Sequence, residues 1–126
     1  MSFRTLAHLP LWLWLGRAAV LAVIVLSLLP LPALRHAPAG SDKVEHMIAY
    51  LALTLWYGQL CADRRALALR ALGLVALGAA IELLQGLTKY RSAEWLDLAA
   101  DVFGVSLGYL LSLGRAGLWL ARVDRR

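Results

Sequence analysis

Asp42, Lys43 and His46 stand together in the stretch SDKVEHMIAY, directly before an apolar run. Their types suit proton transfer and anion capture. A histidine with a carboxylate four residues back has the spacing of a general base and the group that orients it, which His46 and Asp42 satisfy. Lys43, with Arg91 further along, can hold phosphate or carboxylate. Glu82, Asp97 and Asp101 can share protons or hold a divalent cation, because carboxylate oxygens are the ligands hard cations take. Helical spacing sorts these residues into three stripes. Asp42, His46 and Tyr50 recur every four residues, with Lys43 on the border of their face. Gly78, Glu82, Gln85 and Lys89 form a second stripe, and Asp97, Asp101, Gly104, Gly108 and Ser112 a third.

The elements that must carry these stripes follow from composition. Of 126 residues, 61% are hydrophobic and 17% charged, against roughly 45–50% and about 25% in soluble domains. Mean hydropathy is +0.68. The natural solvent for such a chain is lipid, and the predicted fold class is all-α: one transmembrane domain over residues 1–126, a bundle of four transmembrane helices. Apolar runs at about 12–34, 44–62, 66–88 and 94–113 approach the roughly 20 residues a crossing needs. Pro30 and Pro32 break the far end of the first, and an Arg-bearing extension carries the fourth to Val123. Short loops predict antiparallel sequential neighbours.

Net charge is +5, and on a soluble protein this would suggest nucleic acid. Here the arginines flank apolar runs, so the expected partner is the bilayer and no nucleic acid. Arg4, Arg17, Arg64, Arg65, Arg70, Arg115, Arg122, Arg125 and Arg126 fall on one side of this arrangement, against Arg35, Lys43, Lys89 and Arg91 on the other. The excess places both termini in the cytoplasm. Trp12, Trp14, Trp56, Tyr57 and Trp119 then lie at inner ends and Tyr90 and Trp95 at outer ends, as interfacial aromatics do. An alternative reading takes the first run as a secretory signal cleaved after Ala37–Ala39; the run is long for an h-region of about 7–15 residues. Cys61 is the single cysteine, which rules out an intrachain disulfide and suits a small apolar filler. His8 and His36 read as solvated flanks, Arg70 as a snorkelling side chain, and Gly73 and Gly78 as packing sites.

On this orientation Asp63 and Asp124 are cytoplasmic, whereas Asp42, Glu45, Glu82, Glu94, Asp97 and Asp101 gather in the outer half. Glu82 and Asp101 sit about 10 Å inside their spans. Lipid offers such groups nothing, so the three stripes are expected to converge on one another as a polar, partly acidic pocket opening to the outer face. Gly104-x-x-x-Gly108 extends the line of Asp97 and Asp101 and gives a smooth strip for close helix packing, so the acidic face should look into the bundle. A purely structural account has Lys43 or Arg91 neutralising Glu82 and Asp101 to fix helix register.

The segments DKVEHMIAYLAL, AIELLQGL and RSAEWLDLAADVFGVSLGYL together resemble the VanZ-like family of small bacterial membrane proteins. The family's pattern is an Asp-Lys pair followed by His and an aromatic on one helix. Glu-x-x-Gln near the end of another helix and an Arg in the next loop follow, then Asp with Asn or Asp four residues on, and two glycines. Asp42, Lys43, His46, Tyr50, Glu82, Gln85, Arg91, Asp97, Asp101, Gly104 and Gly108 fit it, over about residues 42–113. Asp101 stands where many members have Asn, which disfavours a role for a neutral amide and favours a cation or proton site. The resemblance implies a multi-pass protein of the bacterial plasma membrane concerned with the cell envelope. The family's name-giver is associated with teicoplanin resistance, a trait that does not transfer across so broad a family.

Three functions compete. The pocket binds or modifies an envelope molecule, such as a lipid headgroup or cell-wall precursor, with Lys43, Arg91, Gln85, Tyr50 and Asp101 as ligand contacts and His46, Asp42, Asp97 and Glu82 as candidates for chemistry. A proton or ion relay is poorly supplied, because only Thr54, Gln59, Arg70 and Ser112 continue polarity inward. The third is a scaffold or assembly protein with a structural polar cluster, its glycine strip serving packing or a homo-oligomer. Binding, catalysis and any metal requirement stay open at this level.

Overall fold

The computed structural model describes residues 3–29, 41–88 and 94–124, without the side chains of residues 41 and 42. Pro30, Pro32, Arg35, His36, Ala37–Ala39, Lys89, Tyr90, Arg91 and the side chain of Asp42 therefore lie outside the described residues. The described chain is all-helical: α1 (Leu9–Leu28), α2 (Ser41–Leu60), α3 (Arg64–Leu87), α4 (Trp95–Ser112), a 3-10 turn (Arg115–Leu118) and α5 (Trp119–Asp124).

Local chemistry explains the boundaries. Asp63 caps α3, its Oδ1 accepting from the Ala66 N–H at 2.8 Å. Asp97 places negative charge in the first turn of α4, where the helix dipole favours it. The fourth expected span, about 94–113, is met by α4, which stops at Ser112; the extension to Val123 forms separately, as Gly114, extended at φ −98° and ψ −158°, leads into the 3-10 turn and α5. A Cβ at Gly117 would collide with the Ser112 carbonyl oxygen, so that glycine permits the tight reversal.

Three helices, α1, α3 and α4, are long and apolar enough to cross a membrane, with mean hydropathies of 2.1, 2.0 and 1.2. The second expected span, α2, has the length but begins with Asp42, Lys43, Glu45 and His46, and is less apolar. Leu21 and Val25 of α1, Leu72, Leu83 and Leu87 of α3 and Phe103 and Leu110 of α4 are exposed, while Thr54, Gln59, Glu82, Gln85, Asp97, Asp101 and Ser112 are buried. Extensively apolar outer faces, with several polar side chains turned inward beside a hydrophobic core, fit a lipid surround.

The most extensive helix pairing joins α2 to α4, which are not sequential neighbours. They run parallel, since Lys43 and His46 meet Glu94 and Asp101 near the two N-terminal ends while Gly58 meets Ser112 near the C-terminal ends. Sequential neighbours are antiparallel as expected; α1 meets α2 at Trp12 and Trp56, whose rings stand edge-on at 6.0 Å. Gly104 and Gly108 make the α2–α4 approach possible: a Cβ on Gly104 would strike the Met47 carbonyl oxygen, and one on Gly108 would lie 3.0 Å from the Leu51 carbonyl oxygen. Gly73 has no atom near the place of its missing Cβ and is not a packing site, because it lies on the exposed side of α3; Gly78 abuts Asp101.

The end of the bundle that carries the chain termini is tied by Asp124. Its carboxylate accepts from the Trp12 indole at 2.8 Å, from the backbone N–H groups of Ala7 and His8, and lies 3.0 Å from the His8 ring nitrogen. His8, expected as a solvated flank, is 64% exposed and also meets Asp124, which ties down the backbone just before α1. Arg70 lays its guanidinium over the rings of Phe3 and Tyr57, at 5.4 and 5.2 Å. Cys61 is buried.

The Trp12 indole above all, with His8 and the Ala7 and His8 amides, holds the Asp124 carboxyl below its ordinary range, against the opposing effect of burial. A depressed carboxylate contributes stability that is present above the unfolded value, about 3.9, and is lost as pH falls through the folded one. Asp124→Asn is therefore expected to destabilise the detergent-solubilised protein most at neutral pH, with the gap from wild type closing as the solution is acidified below pH ~4. Thermal melts followed by tryptophan fluorescence check this; a gap that stays constant with pH would assign the Asp124 contacts no ionic contribution.

Candidate functional site

At the opposite end, the three stripes meet. His46 comes from the second turn of α2, and its Nδ1 lies 2.9 Å from Oδ1 of Asp101, whose side chain is 1% exposed. A carboxylate accepts, so the ring nitrogen donates. The spacing of Asp42 suggested that it would orient His46, and its side chain lies outside the described residues; Asp101 on α4 bonds His46 across the helix pair. Asp101 itself fits because Gly78 on α3 has no side chain, a Cβ there standing 2.8 Å from Asp101 Oδ2. Three helices thus fix one carboxylate.

Lys43 reaches Glu94 Oε2 at 2.7 Å and Asp97 Oδ1 at 3.4 Å. The structural account had Lys43 or Arg91 neutralising Glu82 and Asp101: Lys43 meets Glu94 and Asp97, Asp101 meets His46, and Arg91 lies outside the described residues. Glu82 is 6% exposed. Its Oε2 accepts the Glu94 N–H at 3.0 Å, which joins the end of α3 to the start of α4, while its Oε1 is buried with no hydrogen-bond partner among the described residues. Gln85 is buried on the next turn and donates from Nε2 to the Ser27 carbonyl at 2.7 Å, tying α3 to α1. The Tyr50 hydroxyl, one turn along from His46, is buried without a hydrogen-bond partner.

Glu94 was counted among the outer acids but not among the candidate residues. Both its side chain and its amide belong to the cluster, and the signal that could have found it was its place three residues before Asp97 at the start of α4. The expected cation set of Glu82, Asp97 and Asp101 is also revised. Donor atoms of His46, Glu82 and Asp101 lie within 4.8 Å of one another, whereas Asp97 is turned to Lys43. The polarity does not continue inward: the Thr54 and Ser112 hydroxyls donate to the carbonyls of Tyr50 and Gly108 in their own helices, each at 2.7 Å.

Beside Glu82 and Glu94, a cleft of about 260 Å³ between α3 and α4 is lined by Ala79, Leu83, Trp95 and Leu98. One end is therefore carboxylate and the rest apolar. Comparison of the chain with protein-family models, with curated proteins and with solved structures returns no match.

Proposed function

We propose that this chain is a VanZ-like, multi-pass protein of the bacterial plasma membrane that holds the polar head of a lipid-anchored envelope molecule in the pocket at the shared N-terminal ends of α2 and α4. In this reading α2 is a fourth span. Its 20 residues extend about 30 Å, the thickness of the hydrocarbon core, and it packs against α1, α3 and α4, which cover its polar face. The arginine excess at the Asp124 end puts both termini in the cytoplasm and the pocket at the outer face.

The observation that carries the reading is that Glu82, which belongs to the cluster with Lys43, His46, Asp97 and Asp101, also lines the largely apolar cleft between α3 and α4. A polar pocket running into an apolar groove fits a molecule that is headgroup at one end and acyl or prenyl chain at the other. The relay reading lacks a path, since Thr54 and Ser112 are bonded back to their own helices. The scaffold reading loses its oligomerisation strip, because Gly104 and Gly108 are covered by α2 of the same chain.

Lys43 is the residue to test, because its 30% side-chain exposure makes its ion pairs worth only about 0–1 kcal/mol of stability. Lys43→Ala is expected to reach wild-type abundance in the membrane and to lose bound lipid at least tenfold, by native mass spectrometry of protein released from nanodiscs of bacterial polar lipid. Unchanged lipid occupancy would end the headgroup reading, and disappearance of the variant from the membrane would favour a scaffold.

A further inference from the structure

We infer that His46, Glu82 and Asp101 form a binding site for a divalent transition-metal ion of the Zn2+ or Mn2+ class. One residue comes from each of α2, α3 and α4, and their donor atoms lie within 4.8 Å of one another. Ligands about 2.0–2.2 Å from a tetrahedral metal stand roughly 3.4 Å apart, so small side-chain rotations close the set. One imidazole and two carboxylates form a mixed nitrogen and oxygen donor set, which suits the borderline ions and is less suited to the all-oxygen coordination of Ca2+ or Mg2+. Three protein ligands leave a coordination position open, the pattern of sites at which a metal meets a ligand from outside.

An independent observation points to an occupant. Glu82 is 6% exposed, and among the described residues its Oε1 is buried with no hydrogen-bond partner although its Oε2 has one. A buried carboxylate oxygen left without a partner is more unfavourable than a neutral polar atom in the same position, so a cation at that place relieves a deficit already present in the fold. The charge of the cluster agrees. Among the described residues, Glu82, Glu94, Asp97 and Asp101 face Lys43 and His46. A phosphate headgroup entering this cluster alone meets more negative charge than positive. A divalent ion on the trio offsets most of that excess and offers the phosphate a ligand position.

Met47, next to His46, packs against Gly104, and Gly78 seats Asp101, so two of the ligands ride on closely packed backbone. That is the preorganisation a metal site needs. The apparent competitor, the His46–Asp101 hydrogen bond, is compatible with binding: a ring nitrogen that bonds a carboxylate leaves the other nitrogen for the ion, or the bond is exchanged for two metal bonds.

The proposal stands on the trio and does not depend on the headgroup reading. Its test uses the full chain in lipid-free detergent micelles, carried on a histidine-free affinity tag, stripped with chelator and titrated separately with Zn2+ and Mn2+ by equilibrium dialysis and elemental analysis. One ion per chain is expected. The isosteric variants Glu82→Gln and Asp101→Asn should weaken binding at least about 100-fold, the upper end of what loss of even an outer partner does, while Gly73→Ala, on the exposed side of α3, should stay within about threefold. A measurement on the wild-type chain keeps the result independent of variant folding: bound Zn2+ should shield His46, and not His8, from diethyl pyrocarbonate, read by peptide mapping. No uptake of either ion by the wild-type chain, equal uptake by Glu82→Gln, or equal modification of His46 with and without metal would each overturn the proposal. A chain that binds Zn2+ but no lipid sinks only the headgroup reading, and one that binds lipid but no metal sinks only this one.

Discussion

His46→Leu is expected to lower stability by about 3–5 kcal/mol, and adding Asp101→Leu to recover most of the loss. The single change leaves the Asp101 carboxylate, 1% exposed, with no partner on α2. A buried charge stripped of its partner is far more unfavourable than the pair is favourable, because the penalty of removing the charge from water remains in full. In the double variant no charge is left to solvate, and leucines on facing positions of α2 and α4 fill the place of the pair. Unfolding followed by circular dichroism in mixed micelles with rising dodecyl sulfate measures both steps. A loss below ~1 kcal/mol for His46→Leu would mean that the pair is wet. A double variant no better than the single would assign the loss to packing instead of charge. The stable double variant also separates structure from function: it should keep its place in the membrane and lose both metal and lipid.

The sequence-based expectations and the fold agree where lipid dictates the answer. Helix ends fall within a few residues of the hydropathy boundaries at α2, α3 and α4, because a bilayer leaves each apolar run only one way to bond its backbone. The inward turn of Asp97, Asp101, Gly104, Gly108 and Ser112 was legible from their 3–4 spacing for the same reason, and all are buried. What spacing along one helix cannot show is the pairing between helices. The His46–Asp101 bond joins residues 55 apart in sequence, and finding it requires knowing that α2 and α4 run parallel at close range. Glu94 went unrecognised because its contribution is partly a backbone N–H, which has no residue type. Asp124 reads as an ordinary polar residue near an end of the chain; its bonds to Ala7, His8 and Trp12 span almost the whole sequence and leave no local trace.

Gly104→Ala, finally, is expected to destabilise the protein by about 1–3 kcal/mol, and Gly73→Ala to stabilise it by up to about 1 kcal/mol. Both glycines lie inside apolar helices, and propensity alone favours alanine at each. They differ in what the new methyl group would meet. At Gly73 it meets nothing within 4 Å. At Gly104 it strikes the Met47 carbonyl oxygen and comes within 3.1 Å of the Leu51 nitrogen. Those atoms are backbone, so no rotamer change relieves the clash and α2 itself must shift. The residue beside Met47 is His46, and Asp101 is one turn before Gly104. Any displacement of α2 at this level therefore opens the 2.9 Å His46–Asp101 contact and the donor set that includes Glu82. Gly104→Ala should consequently weaken metal and lipid binding along with stability, whereas Gly73→Ala should leave both unchanged. Equal behaviour of the two variants in the micelle unfolding assay would show that α2 and α4 do not approach at Gly104, and the pocket built on that approach would fall with it.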